Sequence, residues 1–375
     1  MVARSLSYRD FLRFGVRELS DKFDIRILDF SELLNKKIFP DDPLLPRIKI
    51  NKITKFSDLI TLVKNNNIFI CFDYLPNGMY PLIIRRIFNY QGAMNLRSCL
   101  GPLPQVSNSN SIAFRIKRKI KIGNVISNGL NSIIVRLSKK LEPTADFLVA
   151  SGKKCINEDR LLNYKKIIWA HSFDYQNYFE FSKYKQNIQK NKNYIVFLDQ
   201  MAPTHPDYKF HNIKPPTTEV TYYESMNRFF DHLEKETNMS VIVAEHPRRC
   251  STENDWSGRK TIRHDTLALV VNSSLVISHY SSSISYAVLS KKPIMLVTTN
   301  EYFKSYRQER FIAFGKALNK KVINVDNYVD NVITNAKIFS VDLNMYKKYI
   351  ELYLKVELSA HKNLWDIVIE NINNR

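Results

Sequence analysis

From Tyr194 onward the chain alternates short β-branched apolar stretches with longer amphipathic ones, and few folds accept that pattern. Strands are expected over 194–199, 240–245, 275–280, 293–298 and 321–325, with helices over 219–237, 265–272, 282–291 and 302–318 between them. Apolar strands that need burial on both faces, joined by helices, are the mark of a parallel sheet in an α/β domain. Two of these strands end abruptly in polar clusters: Ser240-Val-Ile-Val-Ala-Glu-His-Pro-Arg-Arg249 and Leu275-Val-Ile-Ser-His-Tyr-Ser-Ser-Ser283. Open α/β sheets bind ligands at the carboxyl ends of their strands, so both clusters are candidates for one site. Because the strands follow each other in the βαβ series, they are expected to be neighbours.

The chemistry of the clusters suits a phosphate. His246 stands before Pro247, which holds it extended at a strand end. Serine hydroxyls and free N–H groups at the start of a helix suit an anion, and Arg248 or Arg249 can add charge-assisted bonds. Ser281 and Ser282 are the expected ligands, although serine is also a preferred N-cap whatever the ligand, and Ser283 is left to capping or packing. His279 either donates to a phosphate or bonds buried backbone beneath the serines. Asp199 closes the strand from Tyr194, where a carboxylate can take a proton from an acceptor hydroxyl. The competing readings for Asp199 are a salt bridge, or Asp207 as the base in the turn His205-Pro206-Asp207.

A His-Pro pair closing one strand and a Ser pair closing a later one resemble the bacterial GT-B glycosyltransferases of surface-polysaccharide synthesis. The resemblance is strongest to those using CMP-activated acidic sugars, the polysialyltransferases and Kdo transferases. Tyr194-Ile-Val-Phe-Leu-Asp-Gln200 with Pro203, His205, Pro206 and Asp207 after it also fits, as do Tyr222-Tyr223, Phe229-Phe230 and Ala287-Val-Leu-Ser-Lys-Lys-Pro293. The resemblance spans residues 165–300, and departs from the polysialyltransferases where their paired acidic motif ends in glycine and this chain has Asp199-Gln200-Met201. It implies an α/β fold of GT-B type, with two Rossmann-like domains facing a cleft and a C-terminal helix crossing back to the first domain. It also implies transfer of a sugar from a nucleotide donor to a cell-surface polysaccharide or lipopolysaccharide acceptor, with inversion and without a metal. The catalytic residues would then be Asp199 and His246, and the donor-binding residues His246, Arg248, His279, Ser281 and Ser282. A CDP-glycerol-type polyol-phosphate transferase and a non-catalytic glycan- or anion-binding protein are the alternatives.

The expected domains are an acceptor-binding domain at 1–185, a nucleotide-sugar domain at 186–342 and a C-terminal helix at 343–375. The polar segment Phe181 to Asn193 is expected to link the first two. In the first domain, strands are expected over 23–29, 67–72, 146–152 and 166–171 and helices over 11–19, 56–64 and 80–88, with a loop over 101–110. A GT-B N-terminal domain usually opens with a strand, and none is legible before Ser7, which points to a lost strand or a late start.

Lys and Arg number 56 against 36 Asp and Glu, a formal net charge of +20 that attracts polyanions. Nucleic acid is disfavoured, because the aromatics do not interleave with the basic residues in any recognised module pattern. An acidic glycan with its nucleotide donor and an anionic membrane surface remain. Arg115, Lys117, Arg118, Lys119 and Lys121 form a basic run that either lies on such a membrane or is a solvated helix face. No apolar run approaches the ~18 residues that span a bilayer, and Met1 to Asp10 has no signal-peptide core. The expected location is therefore cytoplasmic, peripheral on the inner face of the plasma membrane. The four cysteines are scattered, no D-x-D follows an apolar strand, and the E-x7-E spacing of Glu301 and Glu309 lies one βα unit too late for a retaining enzyme. No metal or cofactor is expected, the nucleotide sugar being a substrate.

Overall fold

The structure is a computed structural model that describes residues 1–34, 44–66, 70–106, 141–157, 163–184, 193–249, 255–327 and 336–374. The basic run Arg115–Lys121 lies outside the described residues, as does Cys250. The chain forms two compact units. One takes in Met1–Pro102, the stretch up to Phe173 and the chain from Lys355 onward; the other is Leu103–Val106 with Asp174–Leu354. The division falls between Phe173 and Asp174, ahead of the expected linker, and the segment Phe173–Tyr184 is helical.

In the first unit β1 (Ile27–Asp29) pairs with β2 (Ile50–Lys52), and β3 (Ile70–Asp73), β4 (Met94–Cys99), β5 (Ala145–Ala150) and β6 (Tyr164–Trp169) form a second parallel array in that order. Met1 and Val2 join the two arrays. Val2 N–H donates to Leu28 O and Phe30 N–H to Val2 O, each at 3.0 Å, while Met1 bonds Phe72 O and accepts from Tyr74 N–H on the other side. A strand position before Ser7 thus exists, held by two residues. They are too few to leave a pattern in the sequence.

The second unit is built on β7 (Tyr194–Leu198), β8 (Ser240–Ala244), β9 (Thr261–Ile262), β10 (Leu275–Ser278), β11 (Ile294–Thr298) and β12 (Val322–Asn324). They form one parallel sheet in the order β12-β11-β10-β7-β8-β9. Counted from β7, that is 6-5-4-1-2-3, the order of a doubly wound nucleotide-binding domain. β7, β10 and β11 are buried throughout, as expected of strands covered by helices on both faces. The helix Glu219–Thr237 turns Tyr222, Tyr223, Phe229 and Phe230 into the core against Phe197 and Trp256, so those aromatics are packing residues.

Three details differ from the sequence reading. β9 is a two-residue strand set among charged residues, below the length at which periodicity shows. The expected helix over 302–318 is two, Asn300–Lys304 and Gln308–Leu318, separated at the extended Ser305. The expected C-terminal helix breaks between Leu354 and Leu364. Its first part, Leu343–Tyr349 with a wider turn over Ile350–Leu354, packs Tyr346, Tyr349 and Tyr353 onto the second unit's core. Its last part, Leu364–Asn373, packs Trp365 and Val368 against Leu96, Val149 and Ile168, so the chain does cross back to the first unit.

Candidate active site

In a sheet of this order the chain leaves β7 to one side and β10 to the other, opening a crevice at their carboxyl ends where such domains bind ligands. Leu198 pairs with Ser278 on one side and with Ala244 on the other, so β10, β7 and β8 end level on one edge. The two polar clusters therefore share that edge, although β7 stands between β8 and β10 and the strands are not neighbours as expected. Tyr280 N–H donates to Gln200 Oε1 at 3.0 Å, tying the exits of β10 and β7 together across the switch point.

Asp199 leaves β7 pointing inward. Its Oδ1 accepts Met201 N–H at 2.9 Å and its Oδ2 accepts the Arg249 guanidinium at 3.1 and 3.3 Å. It also accepts the backbone N–H of His246. Burial lifts its carboxyl above the ordinary range against the pull of Arg249 and these N–H groups. Arg249 is equally buried and also bonds the Tyr223 hydroxyl at 3.0 Å and Asp255. Burial works against its charge, and the Asp199 carboxylate, Tyr223 and Asp255 together more than compensate, raising its pKa. This is the salt-bridge reading of Asp199. The side chain braces the loop that carries His246, and a carboxylate sealed in this way is not open to an acceptor hydroxyl.

That loop is half-exposed at His246. Arg248 N–H donates to His246 Nδ1 at 3.2 Å, so a neutral ring carries its hydrogen on Nε2. His205 repeats the arrangement, its Nδ1 accepting Asp207 N–H at 3.2 Å, and its ring centre lies 4.9 Å from that of His246. Burial, opposed by the attraction of Asp207 and helped by the smaller repulsions of Arg248 and Arg307, holds the His205 pKa below its ordinary value. Arg248 pairs with Asp207 at 3.0 Å, both side chains over 40% exposed. The structure thus gathers His246, Arg248, His205 and Asp207 on one patch of the edge.

His279 is not part of that patch. Its Nδ1 lies 2.7 Å from Val297 O and its Nε2 2.7 Å from the Tyr222 hydroxyl, inside a cage of Phe197, Tyr222, Tyr302 and Phe311. Of its two expected roles it fills the second, bonding buried backbone beneath the serines, and burial lowers its pKa to about 4. Ser282 is exposed and Ser281 half-buried. Ser281 Oγ accepts Ser283 N–H at 3.2 Å, closing a tight turn ahead of the helix, and Ser283, at the N-cap position, makes no side-chain cap bond. The helix that follows, Ile284–Leu289, is shorter than expected.

Gln200 stood in the resembling segment without a role of its own, and its bond to Tyr280 supplies one; one further residue escaped the sequence reading. Arg307 lies between two helices read as one; its guanidinium stacks over Tyr306 at 4.9 Å, and its Nε is buried without a hydrogen-bond partner. Glu301 accepts bonds from Thr217, Thr218 and Thr221 at the start of the helix Glu219–Thr237, which gives it a structural task. Among the described residues no cluster of three or more His, Cys, Asp or Glu side chains is placed to hold a metal ion, and no helix is long and apolar enough to cross a membrane.

No protein-family model matches the chain, and no curated protein matches it either. Among solved structures, the glycosyltransferase of kitacinnamycin overlays with 9% identity and a TM-score of 0.48, covering 96% of this chain and 94% of that one. The wall teichoic acid polymerase TagF overlays with 10% identity and a TM-score of 0.46, covering 99% and 88%. A UDP-N-acetylglucosamine 2-epimerase overlays with 12% identity and a TM-score of 0.44, covering 100% and 98%. At these scores the fold rests on the strand order and registers of the chain itself.

Proposed function

We propose that the chain is a glycosyltransferase whose second unit binds a nucleotide-activated sugar by its phosphate at the carboxyl edge of β7, β8 and β10. The observation that carries this reading is the 6-5-4-1-2-3 strand order, with His246, Arg248, Ser281 and Ser282 on the loops that leave the strands around its switch point. The Nε2–H of His246 and the Arg248 guanidinium are donors for phosphate oxygens, and the two serines add hydroxyls. Binding the leaving phosphate more tightly as its charge develops is what accelerates the step.

Transfer then proceeds by one displacement. The acceptor hydroxyl oxygen attacks the anomeric carbon, the bond from that carbon to the phosphate oxygen breaks, and the hydroxyl proton goes to a base. With Asp199 sealed beneath Arg249, Asp207 takes the role of base: its carboxylate is half-exposed beside His205 and Arg248. The resemblance of the His-Pro and Ser-Ser motifs favours a CMP-linked acidic sugar as donor and a surface glycan or lipid-linked glycan as acceptor. The net charge of +20 favours an acidic acceptor and work at an anionic membrane surface on the cytoplasmic side.

A thermal-shift series with CMP, CDP, UDP and GDP tests the donor site, since a ligand at a hundred times its dissociation constant stabilises by about 2.7 kcal/mol. The reading expects one nucleotide to stand out and His246→Ala to remove its effect. An unchanged response in His246→Ala removes the phosphate site from β8.

A further inference from the structure

Arg307 and the residues around it come from the exits of three strands. Tyr208 follows β7 in the short helix Asp207–His211, Tyr280 follows β10, and Arg307 follows β11 after the short helix Asn300–Lys304. Ser278 of β10 pairs with Leu296 of β11 as well as with Leu198 of β7, so these exits share the edge that carries the His246 loop. The break between the two helices positions Arg307: Ser305 Oγ donates to Tyr302 O at 2.6 Å and accepts Arg307 N–H at 3.1 Å. The Arg307 side chain bonds the Tyr208 hydroxyl, and the Tyr208 ring centre lies 6.0 Å from that of His205, the neighbour of His246. Arg307 also opposes a charge on His205, so its own charge reaches the His246 patch.

The fold supplies this guanidinium with no counter-charge. Among the described residues no carboxylate pairs with Arg307, whereas Arg248 has Asp207 and Arg249 has Asp199 and Asp255. Its polar neighbours are the hydroxyls of Tyr208, Tyr280 and Tyr306. Burial holds the first two above the ordinary phenol range, so at neutral pH both are uncharged and offer dipoles without cancelling the charge. The other charged neighbour of Tyr280 is Arg310, a second cation. A half-buried cation with no counter-charge, and with an Nε that has no hydrogen-bond partner, is costly to keep for the fold alone. A guanidinium is also the side chain best shaped to grip carboxylate or phosphate oxygens in pairs.

We propose that Arg307 holds a second anionic group of the donor, beside the phosphate held at His246: the carboxylate of an acidic sugar or the second phosphate of a nucleoside diphosphate. This rests on the reading of the His246 edge as a phosphate site. One ligand then meets two separate cationic points, Arg248 with His246 at the β8 exit and Arg307 with the Tyr208 hydroxyl beyond β11. Arg307 is thereby a specificity residue. A donor with a single anionic group leaves its charge unpaired, and one that reaches it with a second group gains a charge-assisted contact.

Isothermal titration of the wild type, Arg307→Gln and His246→Ala with CMP, CDP and CMP-N-acetylneuraminate tests this. The wild type is expected to bind CDP or CMP-N-acetylneuraminate about 10-fold or more tighter than CMP, the size of one charge-assisted bond. Preference for CDP identifies the second group as a phosphate, and preference for CMP-N-acetylneuraminate identifies it as a sugar carboxylate. Arg307→Gln should erase the advantage and leave the CMP dissociation constant within about twofold, whereas His246→Ala should weaken all three ligands. An advantage that survives in Arg307→Gln, or a loss that CMP shares equally, overturns the proposal. Full binding by His246→Ala with the advantage lost only in Arg307→Gln sinks the phosphate reading of His246 and leaves the Arg307 subsite standing; a wild type that binds none of the three sinks both. The ligand-free proteins give a further check. Arg307→Gln removes an unpaired charge and should melt no lower than the wild type, and a melting temperature about 5 °C or more below it makes Arg307 a support of the fold and overturns the proposal.

Discussion

Asp199 and Arg249 form a buried ion pair at the exits of β7 and β8, Oδ2 to Nη2 at 3.1 Å, with side chains 0% and 2% exposed. Fifty residues separate them in sequence. Removing one partner of such a pair strands the other charge in a low-dielectric interior, at a cost of about 3–5 kcal/mol, whereas replacing both with apolar groups of similar volume is close to neutral. Arg249→Met is therefore expected to lower stability by that amount in denaturant unfolding, and Asp199→Leu together with Arg249→Met to recover most of it. A double variant no more stable than Arg249→Met contradicts the buried-pair account.

Gly15 has φ +61 and faces the Trp365 indole of the C-terminal helix. A Cβ at that position would collide with the ring, and the left-handed backbone disfavours any other side chain besides. Gly15→Ala is expected to cost about 2 kcal/mol or more, from strain and from displacing Trp365. Trp365→Leu, which makes room, should make the second loss smaller than the sum of the two. A calorimetric melting series across the four proteins measures this coupling.

Stability should fall in mild acid. His279 titrates near 4 in the fold because burial disfavours its charged form, against an ordinary value of 6.5. Between those values the unfolded chain binds more protons, so this contribution is intact above pH 6.5 and is lost as pH falls toward 4, by about 1.4 kcal/mol per unit. His205 and His171 are lowered by burial too and act in the same direction. His279→Gln should flatten the dependence by about 3 kcal/mol between pH 7 and pH 4, read from denaturant midpoints. A slope unchanged in that variant assigns the acid sensitivity elsewhere.

The second unit was legible because its strands are buried on both faces and so read as unbroken apolar runs, and because each ends where a polar cluster begins. His246 and Arg248 could be placed at a strand exit from Pro247 alone. Burial of a polar side chain could not be read. Asp199 and His279 stand at strand exits as His246 does, but Asp199 turns toward Arg249 and His279 toward Val297, and those partners are 50 and 18 positions away. Strand adjacency was misjudged for a similar reason, since chain order places β8 before β10 whereas the fold inserts β7 between them. The first unit was harder. Its central position is held by Met1 and Val2, whose role appears only in bonds to Leu28, Phe30, Phe72 and Tyr74.

The position of the catalytic base separates Asp207 from Asp199 by experiment. Asp207→Asn keeps size and removes the proton acceptor, so transfer should fall about 100-fold to 10,000-fold, while the nucleotide dissociation constant stays near that of the wild type. Asp199→Asn acts through the loop it braces. It weakens the bonds to Arg249 and to the His246 backbone, so it should weaken nucleotide binding and lower stability together. His246→Ala should lose nucleotide binding with the fold intact, as a half-exposed side chain allows. Isothermal titration with the preferred nucleotide, circular dichroism melting and a radiolabelled transfer assay on the three variants distinguish these patterns. If Asp199→Asn loses turnover with binding and melting unchanged while Asp207→Asn keeps full turnover, the base is Asp199 after all, and the loop must open during the reaction to admit the acceptor hydroxyl.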